Sequence, residues 1–228
     1  MAGINEYTVL MLHCNGTDTS TDFPDSSPSE HTVTANGTAQ VDTSYSKFGG
    51  ASLLLDGNSD YLSVPDSSDW DFGTGDFCID FWMRWTGANW DNKATFSMGL
   101  YNAGIDMISA SGGSGIYARI QSNNTTDTTT PTKETWTHVA VTRESGTVRQ
   151  FIGGALRTTN TITASIAVSL PFIIGGKQNS GPTVSFFFNG HFDEFRVQKG
   201  EAYYTSAFTP PTSAYSPDAV PRSHAVII

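Results

Sequence analysis

Residues 77–85, Phe-Cys-Ile-Asp-Phe-Trp-Met-Arg-Trp, alternate with period two. Phe77, Ile79, Phe81, Met83 and Trp85 fall on one face, and Cys78, Asp80, Trp82 and Arg84 on the other, the signature of a β-strand with one wholly apolar side. The second face is unlike that of a solvated strand. A tryptophan between two opposite charges implies that another element covers it. Residues 134–143 and 190–197 alternate in the same way and also carry charges inside the run. Three long alternating strands, each with charges on its second face, point to sheets packed on sheets.

The rest of the chain agrees. Short apolar runs are expected as strands at 7–13, 52–55, 61–64, 94–98, 105–109, 117–121, 148–152, 155–158, 172–174 and 184–188, and Gly153-Gly154 reads as a hairpin turn. Strands at roughly ten-residue intervals with Gly-rich turns suit a sandwich or barrel. Only 15% of residues are charged, against about 25% in an ordinary domain. Thr, Ser, Asn and Gly replace them, which favours turns and strand faces over long helices. The expected organisation is one all-β domain over residues 1–208, followed by an extended, Pro-containing tail at 209–228. Prolines 210, 211, 217 and 221 keep that tail out of any central strand. Its apolar tip, residues 225–228, either docks on a neighbour or forms a loose end. Residues 15–36 and 122–132 read as polar loops, the first long enough to suggest that something ties it down.

Charge and cysteine usage exclude several functions. A net charge of −10 opposes nucleic-acid binding, which relies on Lys and Arg against phosphate, and opposes binding to anionic membranes. It suits either solubility or cations such as Ca²⁺. No apolar run is long enough to span a membrane or form a signal-peptide core, so synthesis without classical secretion is expected. Cys14 and Cys78 lack metal or redox spacing and read as buried thiols or a single bridge.

Several segments in order resemble the laminin-G-like, concanavalin A-like lectin/glucanase jelly-roll family. They are Val9-Leu10-Met11-Leu12-His13, residues 47–57, residues 74–84, Trp136-Thr137-His138-Val139-Ala140-Val141-Thr142-Arg143, Ile173-Ile174-Gly175-Gly176, residues 188–197 and Tyr204-Thr205-Ser206-Ala207-Phe208-Thr209-Pro210-Pro211. The segments at 47–52 and 204–211 are similar to those of tailed-bacteriophage virion proteins. The resemblance implies a two-sheet antiparallel jelly-roll sandwich, glycan or protein binding, and in many members one structural Ca²⁺. It implies Asp193 as a metal ligand, with Asp25 in the first polar loop as the second carboxylate; the competing reading pairs Asp193 with Arg196 or has it cap a turn.

For sugar recognition the residues of choice are exposed rings beside amides: Trp90 with Asn92, Tyr101 with Asn102, and Gln178 with Asn179; the competing readings place such rings at a protein interface or fold Trp90 back into the core. Phe186-Phe187-Phe188 must turn at least one ring outward if it is a strand. His13, His138 and His191 share no ligand spacing and read as strand histidines. Retaining glycosidases need two carboxylates about 5–5.5 Å apart. Asp193 and Glu194 are adjacent on one strand and are expected to diverge to opposite faces, and no Glu-x-Asp-x-x-Glu pattern occurs. A non-enzyme is therefore expected. The functional expectation is a structural protein on the surface of a tailed-phage virion, assembled in the host cytoplasm. Without coiled coil or repeat it fits capsid decoration better than a fibre. Its partners would be other virion proteins, copies of itself and host surface glycans. The alternative is a stand-alone carbohydrate-binding adhesion module.

Overall fold

The computed structural model of the protein describes residues 3–100, 103–179 and 181–217. Two large antiparallel sheets pack face to face as a jelly-roll sandwich, and Ser68–Trp70 forms a short 3-10 turn. One sheet of eight strands runs, in spatial order, Ala155–Thr161, Thr147–Ile152, Thr137–Glu144, Phe77–Trp85, Asn189–Lys199, Ser52–Asp56 and Gln40–Asp42, with Thr8–Leu12 also pairing on Asn189–Lys199. The other, of seven, runs Asn123–Asn124, Ile116–Ile120, Ile105–Ser109, Ala94–Met98, Phe172–Ile174, Tyr61–Val64 and Thr34–Asn36. Thr34–Asn36 and Asn123–Asn124 lie in stretches expected as polar loops, yet form the two edges of this sheet. Among the described residues no helix is long and apolar enough to cross a membrane.

The alternation of residues 77–85 builds the core as expected. Phe77, Ile79, Phe81 and Met83 are fully buried between the sheets with Phe96, Phe172, Phe192 and Phe195. Phe81 stacks on Phe195 at 5.0 Å and Phe96 on Phe172 at 5.8 Å, separations at which aromatic pairs add to simple burial.

The second face of that strand is covered too. Residues 203–217 cross the outside of the eight-stranded sheet as an extended strap, with Tyr203, Tyr204 and Phe208 packed on Cys78, Ala140 and Phe151. Gly154, at φ 78°, lets the strap close in: a Cβ there would run into the Phe208 carbonyl, and the Phe208 N–H donates to Gly154 O at 2.9 Å. At the centre lies Asp80, fully buried. It accepts from Arg196 Nε at 2.9 Å, from the hydroxyl of Tyr215 and from that of Tyr204, and meets His138 Nε2 at 3.2 Å. Burial alone would raise the Asp80 carboxyl's pKa, but the Arg196 guanidinium, helped by His138, holds it well below the usual range. Arg196 also donates to Gly3 O at 2.8 Å, and Gly3–Ile4 pairs in parallel with Ser216–Pro217. The two ends of the described chain thus meet on one buried ion pair. The apolar tip at 225–228 lies outside the described residues.

Candidate binding groove and the carboxylates of the central strand

The strand Asn189–Lys199 departs from simple alternation. Its pairing with Phe77–Trp85 shifts between Asp193 and Arg196, and Glu194 has φ 49°. This β-bulge inserts one residue, so Phe192 and Phe195 both reach the core while the two residues between them turn away from it. The expected divergence of Asp193 and Glu194 is corrected accordingly: both carboxylates lie outside the core, each with its own partners. Asp193 Oδ2 accepts from Lys47 N at 2.8 Å and Phe48 N at 2.9 Å, and its Oδ1 is buried without a hydrogen-bond partner. Burial pushes its pKa up to about 7, against those two N–H donors. Glu194 meets His13 Nδ1 at 2.8 Å and accepts from Tyr215 N at 2.7 Å. Both acids are fully buried and already engaged, an arrangement unsuited to acid–base work on a glycoside.

Asp25 has another task. Its Oδ1 accepts from Met11 N and Ser27 N, and its Oδ2 from Ser27 Oγ and His31 N, all within 2.9 Å. Four donors saturate a carboxylate, so Asp25 is corrected from metal ligand to organiser of the first loop. Among the described residues, no three His, Cys, Asp or Glu side chains gather where they could hold a metal ion.

The expected sugar contacts are not brought together. Trp90 is only 4% exposed: it packs on Trp85 and Phe188, and its indole N–H donates to Gly115 O at 3.0 Å. The ring offers no face to a ligand, because the Gly-rich turn folds it into the core. Asn92, half-buried at φ 50°, donates to Asp91 Oδ1, which also accepts from Gly112 N. Gln178 is 5% exposed and donates to Pro182 O at 3.2 Å. Tyr101 and Asn102 lie outside the described residues. Of the three phenylalanines, Phe188 is core, while Phe186 and Phe187 are half-buried.

What the Trp90 loop supports is a groove of about 470 Å³ at the end of the seven-stranded sheet. Tyr117, half-buried on the strand Ile116–Ile120, lines it with Ala110 and Ser114 on one side and Asn124, Thr126, Asp127 and Thr128 on the other. Trp90 and Asp91 hold the 110–115 wall from behind through Gly115 and Gly112. Gly115, at φ 87°, brings the two walls together, since a Cβ there would strike the Asp127 carbonyl. The floor is fixed from across the sandwich. Gln150, fully buried, donates to Ile116 O at 2.7 Å and accepts from Ala118 N at 3.1 Å and Thr125 Oγ1 at 2.7 Å. Asp127 accepts from Thr129 N with Oδ1, leaving Oδ2 without a partner. One ring, one amide, three hydroxyls and one carboxylate therefore surround a space large enough for a sugar unit.

No residue of this groove was singled out in sequence. A lone tyrosine inside a strand and an Asn/Thr-rich loop carry no local signal; only the pairing of Asn123–Asn124 with Ile116–Ile120 joins them.

No curated protein matches the chain in sequence. Among solved structures it is similar to the binding domain of Paraclostridial Mosquitocidal Protein 1, with a TM-score of 0.66 at 16% identity over 87% of this chain and 50% of that one. It is also similar to Domain 4 of AbnA, a GH43 extracellular arabinanase from Geobacillus stearothermophilus, solved with arabinotriose, with a TM-score of 0.59 at 18% identity over 89% of this chain and 95% of that one. A third is the botulinum neurotoxin type C structure whose cell entry is described as dependent on two ganglioside molecules, with a TM-score of 0.62 at 16% identity over 87% of this chain and 49% of that one. The chain thus spans about half the length of the two toxin structures. At these identities the likeness establishes the fold. Residues 56–202, more than half of the chain, match the model of the concanavalin A-like lectin/glucanases superfamily (Laminin_G_3), and the protein belongs to that superfamily.

Proposed function

We propose that this chain is a non-catalytic carbohydrate-binding module displayed on the surface of a tailed-bacteriophage particle, as a capsid decoration or fibre-associated protein. The observation that carries the binding role is the Tyr117 groove, where a ring edges a space lined by amide, hydroxyl and carboxylate groups. The structural neighbours support it: one was solved with arabinotriose, and another is described with gangliosides. The virion setting rests on the resemblance of residues 47–52 and 204–211 to phage virion proteins, with other virion proteins and copies of itself as partners. A broad glycan array tests the binding role. Wild type should bind a defined set of glycans, and Tyr117→Ala should lose them while keeping its melting temperature within a few degrees. Wild-type silence across the array contradicts the role. Stoichiometric presence in purified particles tests the setting, and absence from them contradicts it.

The proposal includes one structural Ca²⁺ at Asp193, whose buried Oδ1 lacks a hydrogen-bond partner. Since no three His, Cys, Asp or Glu side chains gather there among the described residues, backbone carbonyls and water would have to complete the shell of a hard cation. The ion would balance a carboxylate that burial otherwise disfavours and pin residues 47–48 to the central strand. Asp25 takes no part. EDTA should lower the melting temperature of wild type by several degrees and leave Asp193→Ala unmoved; an EDTA-insensitive wild type removes the ion from the account.

A further inference from the structure

The groove borders an unusual row of side chains. Cross-strand register aligns Ser63, Ile173, Ser97, Asp106, Arg119 and Asn124 across the seven-stranded sheet. Their strand neighbours Leu62, Ile174, Phe96, Met107 and Ala118 all face the core, so the row lies on the outer face. It ends at Asn124, a wall of the groove, and Tyr117 stands two residues from Arg119 on the same face. Outer-face polar residues in a sandwich are ordinarily solvated, yet Ser97 is 1% and Asp106 4% exposed. Asp106 Oδ2 meets Arg119 Nη2 at 2.5 Å and Lys177 Nζ at 3.3 Å. Asp106 Oδ1 and Ser97 Oγ, on directly paired residues, are buried without a hydrogen-bond partner.

Two adjacent buried groups with unmet hydrogen-bonding capacity weaken the fold, and their presence calls for a partner that supplies donors. The surrounding charges narrow its chemistry. A metal cation is opposed by Arg119 and Lys177 on the same carboxylate. Asp106 and Asp127 together balance Arg119 and Lys177, so no net positive charge remains to draw an anionic sugar. Neutral hydroxyl groups satisfy both acceptors without adding charge. We infer that Ser97 and Asp106 form an inner, specificity-determining subsite of the Tyr117 groove, accepting hydroxyl donors from an uncharged sugar residue. This rests on the groove's carbohydrate-binding role. Lys177, on the short ribbon Lys177–Gln178 paired with Val184–Ser185, reaches the same carboxylate, so the ribbon must move outward for a sugar to enter.

Ser97→Ala separates a ligand role from a folding role, because the hydroxyl has no partner in the folded chain. On an array carrying neutral, sialylated and sulfated glycans, wild type should bind neutral glycans only. Titrated calorimetrically with the strongest neutral glycan, Ser97→Ala should bind about tenfold more weakly, the effect of one lost hydrogen bond. Ser97→Thr, which keeps the hydroxyl, should bind nearly as wild type, and Ser97→Ala should melt at or above the wild-type temperature. Unchanged affinity in Ser97→Ala together with lost binding in Tyr117→Ala overturns the subsite and leaves the groove standing. A Ser97→Ala melting temperature several degrees lower overturns it too, by showing that the hydroxyl serves the fold. A wild type that binds no glycan overturns the groove's role, and the subsite with it.

Discussion

Glu194 ties three distant parts of the chain together from one strained position. Its φ of 49° is one that non-glycine residues adopt at a cost of about 1–3 kcal/mol and keep only where their surroundings hold them there. His13 and the Tyr215 N–H hold its carboxylate. The bond to Glu194 raises the His13 pKa above 6.5 despite burial. A histidine whose folded pKa is raised contributes stability that is complete below the unfolded value and disappears as pH rises through the folded one. Wild type should therefore lose stability relative to His13→Gln as pH rises above about 6.5, as followed by urea denaturation at each pH. Parallel pH profiles for the two proteins would contradict this pairing. The bulge was invisible in sequence, because nothing in Phe-Asp-Glu-Phe distinguishes a strand that alternates from one that inserts a residue. The missing Glu-x-Asp-x-x-Glu pattern, which does not depend on the bulge, is the part of the argument against a glycosidase that the sequence alone carries.

The strap at residues 203–217 is the element that most alters the picture drawn from sequence. Its prolines correctly implied an extended segment, and the Trp82 face of residues 77–85 correctly implied a cover. What could not be read is that each answers the other, because an extended segment has no periodicity to reveal which surface it crosses. Its anchor is the Asp80 network. Removing the carboxylate leaves Arg196 buried and unpaired, so Asp80→Ala should cost about 3–5 kcal/mol. Tyr215→Phe removes one hydrogen bond to a charge and should cost about 1.5–3 kcal/mol. Urea denaturation measures both, and limited proteolysis should cut within residues 203–217 sooner in each variant than in wild type. Wild-type stability in Asp80→Ala would show that the ion pair does not hold the strap.

At the scale of the whole molecule, the two sheets present unlike outer faces. The strap closes one. The other carries a groove that opens between the Ile116–Ile120 strand and the Asn/Thr-rich loop, and the cross-strand row that ends at its Asn124 wall holds the buried Ser97 and Asp106. Architecture was legible because alternation and Gly/Pro spacing report directly on strands; the strands at 61–64, 77–85, 94–98, 105–109 and 172–174 lie where the pattern places them. The groove was not, because a lone ring inside a strand carries none of the signal that a ring in a Gly-rich loop does. Trp90 in such a loop became core, while Tyr117 on a strand became a wall of the groove. The sandwich offers a second cleft, of about 350 Å³, along the strap between Tyr203, Phe208 and Pro211. The most direct test of the groove is therefore to map where a sugar binds, by amide chemical-shift perturbation in ¹⁵N-labelled protein titrated with the strongest glycan from the array. The expected result is saturable shifts concentrated at residues 110–128, centred on Tyr117 and Asn124, with further shifts at Ser97, Asp106 and Lys177 where the inner subsite is filled. Shifts concentrated at residues 203–213, or none at saturating glycan, would contradict the account.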